Sequence, residues 1–374
     1  VLLVGCTTKV DAEDAGVVDV DSGDDRCVLS STKAPAGPLT FRVTNSGGKV
    51  TEFYLLAEDG LRIVGEVENI GPGLTRDLVV AAPQGSYVTA CKPGMKGEGI
   101  RDPFTVTESG EKVVLEGDEA KLVAQANAAY AAYVEDQSAQ LLEKTARFVR
   151  LYKAGDDDSA RALYAPARVH WERIETVAES FGDLDPRMDA READLEEGQP
   201  WSGWHRIEKD LWPQRAVGYV ALTPAERAIV ANQLLADTKT LDRRVRTLTY
   251  TADQIANGSR GLLEEVALGK VTGEEEYWSR TDLWDFQANV DGARVAFDGV
   301  RPTVERRDAE LVRTIVAEFD DLQRLLDGHR RGDGFVTYDQ LSRAQVKQLS
   351  DAVNALSEPL SRLTAVVVGA TGTS

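Results

Sequence analysis

The hydrophobic pattern of this chain changes period once, near Gly117, and that change divides what it can fold into. Before it, apolar and polar residues alternate in short runs, the mark of strands with one buried face. Such runs are Arg26–Leu29, Leu39–Thr44, Thr51–Leu56, Ile63–Ile70, Leu74–Val80, Ser86–Cys91 and Pro103–Val106. Turn chemistry separates them at Asn45-Ser46-Gly47-Gly48, Gly71-Pro72-Gly73 and Pro93-Gly94. About seven short strands over residues 17–110 predict an all-β sandwich.

After Gly117 the apolar residues recur at helical intervals: Leu122, Ala126, Tyr130, Tyr133, Leu141, Phe148 and Tyr152, with Asp118 as N-cap. Further helical patterns cover 160–182, 224–268, 301–328 and 343–367. Breaks are expected at Asp185-Pro186, Thr223-Pro224, Arg301-Pro302 and Glu358-Pro359. Residues 118–374 therefore predict an all-α helical bundle, and the chain as a whole is multidomain.

A net charge of −19 argues against a nucleic-acid partner, whose phosphates must be met by basic side chains, and is compatible with attracting cations. There is no run of about 18 or more apolar residues, so no stretch reads as a membrane-spanning helix. Leu3-Val4-Gly5-Cys6 resembles a bacterial lipobox, in which a signal peptide is cut before the cysteine and the cysteine then carries lipid. Residues 1–16 thus read as a leader remnant and lipid-anchored tether, with lipidation at Cys6, and the acidic stretch from Asp11 to Asp25 suits a solvated arm. The expected location is extracytoplasmic, at the cell surface or in the periplasm. Outside the cytoplasm Cys27 and Cys91 read either as a disulfide or as a pair of thiolate ligands.

The three histidines, His170, His205 and His329, all fall in the helical part. There is no His-Glu-x-x-His, Gly-x-Ser-x-Gly, P-loop or dinucleotide fingerprint. There are two short polar repeats at helical spacing, His205/Glu208 in Gly203-Trp204-His205-Arg206-Ile207-Glu208 and Glu172/Glu175 in His170-Trp171-Glu172-Arg173-Ile174-Glu175. Residues three apart share a helix face, and facing helices that each offer two inward polar groups are how bundles build metal centres. An imidazole with several carboxylates suits iron or manganese, with zinc allowed. In a chain this acidic, solvated faces or ion pairs with Arg173 and Arg206 explain most such spacings.

The stretch from His170 to Trp212 resembles the imelysin-like domain of EfeO-type iron-uptake proteins. It does so through Asp183-Leu184-Asp185-Pro186, Asp189-Ala190-Arg191-Glu192 and His205-Arg206-Ile207-Glu208-Lys209. Gly203, His205 and Glu208 match that family's Gly-x-His-x-x-Glu hallmark, and Thr281 to Gly292 resembles a second signature. The resemblance implies a cupredoxin-like β-domain in front of the helical one. It also implies an iron-binding component outside the cytoplasm, working beside a membrane iron permease and a haem-containing peroxidase. It points to Glu172, Glu175, Asp189, His205 and Glu208 as ligands of iron, as Fe2+ or Fe3+, with zinc as a substitute. His170 is expected outside the ligand set, Glu264 or Glu265 could add a ligand, and His329 is expected at the surface. Trp201, Trp204 and Trp212 read as core or pocket wall.

The β-domain departs from blue-copper proteins because it contains no histidine, which excludes a two-His, one-Cys copper centre. A looser metal site from Cys27, Glu52, Cys91, Met95 and Glu98 stays open beside the disulfide reading, and copper there is undecided. With no nucleophile or zinc-water arrangement in the sequence, the chain is expected to bind and transfer a metal rather than to be an enzyme. A metal-dependent hydrolase and a metal-free surface module are the competing readings.

Overall fold

The computed structural model describes residues 16–109, 117–195 and 197–369. Cys6, the expected site of lipidation, lies outside them. The chain divides into a β unit and a helical unit, with the division between Val114 and Leu115.

Among the described residues the β unit has nine strands: β1 Val17–Ser22, β2 Cys27–Leu29, β3 Lys33–Pro35, β4 Gly37–Asn45, β5 Thr51–Ala57, β6 Ile63–Ile70, β7 Thr75–Ala82, β8 Gly85–Cys91 and β9 Ile100–Thr107. They form one sheet in the order β2-β1-β4-β7 and a second in the order β3-β9-β8-β5-β6. The β1–β4 and β3–β9 pairs are parallel and the other neighbours antiparallel. The inner faces meet in one core, where Phe41 of the first sheet stands 5.2 Å from both Phe53 and Phe104 of the second. β1 and β3 add two strands to the seven runs read from sequence. β1 follows the expected alternation, with Val18, Val20 and Ser22 buried. β3 is a three-residue edge strand carrying Pro35, which is where a sheet tolerates proline. Cys27 in β2 and Cys91 in β8 form a disulfide between the two sheets, with Cα atoms 5.6 Å apart.

The helical unit contains α1 Gly117–Ala154, α2 Asp157–Glu172, α3 Glu175–Glu179, α4 Asp185–Met188, α5 Trp204–Leu211, α6 Pro224–Val245 and α7 Ala252–Leu268. It continues with α8 Asp282–Arg307, α9 Ala309–Asp327, α10 Arg343–Leu360 and α11 Leu363–Val368. The 38-residue α1 packs on α2, α6 and α8, and a continuous apolar core runs through Phe148, Trp171, Trp204, Phe286 and Phe297. Among the described residues no helix is long and apolar enough to cross a membrane.

Several helix limits differ from the sequence reading. Pro302 lies inside α8, which runs on to Arg307 because Val300, Thr303 and Val304 are buried; the break falls at Asp308, whose carboxylate caps α9. Pro359 similarly lies within the last turn of α10. The pattern over 224–268 is two helices, parted where Thr251 and Gln254 form a capping box. Between α2 and α6 the chain makes only short pieces, and these together with the α7–α8 connection carry the polar interior.

Candidate metal centre

α2 delivers Glu172 as its last residue, and the chain turns at Arg173-Ile174 so that Glu175 begins α3. The two glutamates thus flank a helix junction, rather than sharing one helical face, yet both are buried and converge on one partner. That partner is Lys270, on the 3-10 turn Lys270–Thr272 after α7. Its ammonium lies 2.9 and 2.8 Å from the two Glu175 oxygens and 3.0 Å from Glu172 Oε2. α8 fixes the junction from the other side: Asn289 Nδ2 donates to the Glu172 carbonyl at 2.7 Å and to Glu175 Oε2 at 2.8 Å. At Gly292 a Cβ would overlap the Arg173 carbonyl, so glycine permits this approach of α8.

Asp189 follows α4 as its C-cap, and its Oδ2 accepts from Trp171 Nε1 at 2.8 Å. Gly203 precedes α5 with φ 88°, and a Cβ there would overlap the Met188 carbonyl. The glycine of the Gly-x-His-x-x-Glu pattern therefore lets α5 start against α4, which brings His205 to Asp189. Trp204 anchors that start, its ring 5.2 Å from Phe148 and 5.8 Å from Tyr164.

His205 is fully buried and addresses carboxylates with both ring nitrogens. Nδ1 lies 3.2 Å from Glu208 Oε2 one turn along, and Glu208 Oε1 accepts the backbone N–H groups of Trp278 at 2.8 Å and Ser279 at 2.6 Å. A carboxylate held this way fixes the orientation of the imidazole and favours Nδ1 as its donor. Nε2 lies 3.3 Å from Glu275 Oε1 and 3.5 Å from Asp189 Oδ1, but off a hydrogen-bonding direction to either. It is thus a buried ring nitrogen, aimed between two carboxylates, without a hydrogen-bond partner among the described residues.

Arg168 fills the middle of the cluster. Its guanidinium bonds Glu172 and Asp189, stands 2.7 Å from Glu276 Oε1 and 3.6 Å from Asp285 Oδ2, and is fully buried. Tyr164 and Ser279 hold Glu276 with their hydroxyls at 3.3 and 2.8 Å. Arg191 reaches Glu275 at 3.5 Å.

Buried carboxylates outnumber the buried fixed cations Arg168 and Lys270, and their ionisation reflects this. Burial, and then Glu172, push Glu175 well up; burial and Glu208 do the same to Glu276, and burial and Glu172 to Asp285. Asp185 rises to about 7 through burial and the neighbouring Asp189. Burial and Arg168 both oppose a charge on His205, yet Glu208, Glu275 and Asp189 outweigh them and raise it to about 10. Burial would likewise raise Glu275, but Lys270, His205 and Arg191 hold it well below the usual range.

Three triads in this cluster place one ligand atom per residue within 4.8 Å of the others: Glu172/Glu175/Asp189, Asp189/His205/Glu275 and His205/Glu208/Glu276. All five residues singled out from sequence are in these triads, which Asp189 and His205 link into a chain. Sequence reasoning missed Glu275 and Glu276, which lie in a connection with no periodic signal, and the two cations Arg168 and Lys270. Asp282, Asp285, Asn289 and Gly292 were readable in principle: their spacing puts them on one face of α8, the face turned to the site.

Of the remaining candidates, Glu265 adjoins the cluster, close enough to raise Glu175. His170 faces α1, with Nδ1 2.8 Å from Gln137 Oε1 and Nε2 2.7 Å from Lys144 Nζ. Glu264 pairs with Arg260 at 2.9 Å, whereas Glu265 is close enough to raise Asp185. His329 is half-buried beside the turn after α9. Trp204 is core, while Trp201 and Trp212 are half-buried, Trp201 donating to the Ala190 carbonyl at 2.8 Å.

In the β unit Cys27 and Cys91 are joined as a disulfide, so neither is a thiolate that could bind a metal. Glu52 is buried and accepts the Tyr54 hydroxyl at 2.7 Å with Lys92 3.9 Å away, and Met95 is exposed. Among the described residues the metal-ligand triads all lie in the helical unit.

A β unit followed by a helical unit with a buried His/carboxylate cluster defines a two-part protein whose second part is imelysin-like. The family model for imelysin, peptidase family M75, matches residues 126–363, and the chain belongs to that family. It is 37% identical over 360 residues to the iron uptake system component EfeO of Yersinia pestis, covering 95% of this chain and 92% of that protein. It is 35% identical over 368 residues to EfeO of Escherichia coli O157:H7, with the same coverage. The likeness to EfeO proteins therefore extends over both units.

Proposed function

We propose that this chain is the iron-capturing component of an uptake system, holding its cargo in the buried cluster of the helical unit and passing it to a membrane permease that works beside a haem peroxidase. The observation that carries this reading is His205 Nε2, buried 3.5 Å from Asp189 and 3.3 Å from Glu275 and without a hydrogen-bond partner among the described residues. An imidazole nitrogen and carboxylate oxygens suit Fe2+ or Fe3+, with zinc able to substitute. His205, Asp189 and Glu275 bind the ion, Glu172 and Glu175 extend the site through Asp189, and Glu208 acts by orienting His205. Similarity to EfeO components over 95% of the chain supports iron as the cargo. Capture and release require no turnover, so the protein acts by binding rather than as an enzyme, despite the peptidase label of its family.

The β unit is read as a cupredoxin-like module without blue-copper chemistry. Its disulfide supports residence outside the cytoplasm, with Cys6 of the leader remnant as the lipid-bearing residue at the membrane. Iron accumulation by iron-limited cells lacking the protein tests the reading. The parent gene should restore uptake and a His205→Ala gene should not; equal restoration by both would contradict it.

A further inference from the structure

Lys270 is buried, 1% exposed, and its ammonium touches three carboxylate oxygens at 2.8 to 3.0 Å. Two of the residues it touches, Glu172 and Glu175, form with Asp189 a triad whose ligand atoms lie within 4.8 Å of one another. Oxygens that close can straddle an ion at roughly 2.0–2.2 Å from each, the usual distance for a divalent transition metal. The ammonium already bonds two of the three, Glu172 and Glu175, and a second positive charge cannot take the same oxygens while it stays. Resting on the metal reading above, we infer that Lys270 is a built-in counter-ion that neutralises Glu172 and Glu175 before loading and must be displaced by the incoming cation, which keeps the site weak enough to give its cargo up.

The surroundings favour movement of the side chain alone. Tyr338 packs on Gly273 and its hydroxyl bonds the Val271 carbonyl, so the turn bearing Lys270 is pinned. The four-carbon stem can rotate while the backbone stays. Asn289 continues to donate to Glu175 Oε2 when the ammonium leaves, which keeps that carboxylate oriented. Arg168 is different: carboxylates from α2, α8, Asp189 and Glu276 hold its planar guanidinium on several sides, and it stays in place. The two buried cations thus divide the work, one fixed and one exchangeable. Without the exchangeable one, Glu172 would keep Arg168 but Glu175 would face it with no cation of its own, the costly state for buried charge.

The test uses the full chain, ferrous iron under anaerobic conditions and the variant Lys270→Met. Removing a like charge at this range should tighten binding by about tenfold or more and slow transfer of iron to a chromogenic chelator by a similar factor. In crystals of the iron-loaded parent, anomalous scattering should place iron against Glu172 and Glu175, with the Lys270 side chain turned away. That crystal result stands even if the variant does not fold. Unchanged or weaker binding by a folded Lys270→Met, or iron seated at His205 with Lys270 still on Glu175, would overturn the inference while leaving the metal reading intact. A parent that binds no ferrous iron would overturn both.

Discussion

The backbone of Gly203 lies against the carbonyl of Met188 at φ 88°, and this single contact seats the helix carrying His205 beside the residue carrying the facing carboxylate, Asp189. A side chain at 203 meets the carbonyl and also the disfavoured left-handed backbone. Gly203→Ala is therefore expected to cost about 2–4 kcal/mol of helical-unit stability. Thermal unfolding with iron titration checks this, and a variant as stable as the parent would show that the contact is relaxed.

Much of the fold was legible because the two hydrophobic periods are strong on either side of Gly117. The limits that were not legible were set by packing: burial around Val304 carries α8 past Pro302, a residue that by itself signals a break. The site divided in the same way. His205, Glu208 and Asp189 stood in motifs, whereas Glu275 is brought in by a loop, and Arg168 and Lys270 belong to the site only through contacts between distant segments.

The Cys27–Cys91 disulfide closes a loop with a sequence separation of 64. In the chain-entropy model such a link contributes about 4 kcal/mol. Alkylation with mass measurement should modify neither cysteine without reductant and both with it. Denaturant unfolding of the β unit should shift to lower concentration on reduction; an unchanged midpoint would count against the account.

Burial, then Lys144 and Arg173, lower His170 to about 4. The unfolded chain, with a histidine near its ordinary value, binds the proton first as pH falls. Stability from this group is therefore full above pH ~6.5 and is lost as pH drops toward 4, by on the order of 1–2 kcal/mol after allowing for solvent screening. His170→Gln should flatten the pH dependence of unfolding in that window, and an NMR titration of His170 near 6.5 would contradict the assignment.

His205, raised to about 10, carries a proton in the metal-free site at neutral pH, and Nε2 must lose it to bind iron. Loading at pH 7 should release about one proton and affinity should rise with pH toward 10. Calorimetric enthalpies measured in buffers of different ionisation heat report the proton directly. An enthalpy independent of buffer would show that no proton leaves on loading and would contradict a protonated His205 in the metal-free site.

On the proposed function, the triads linked through Asp189 and His205 hold the iron. Anaerobic titration of ferrous iron into the full chain, parent against His205→Ala, Asp189→Ala, Glu175→Ala and His329→Ala, tests it most directly. Affinity is expected to fall about tenfold or more in the first three, on the scale at which even supporting residues of metal sites register, and to stay unchanged in His329→Ala. Folded His205→Ala and Asp189→Ala variants that bind iron as tightly as the parent would contradict it.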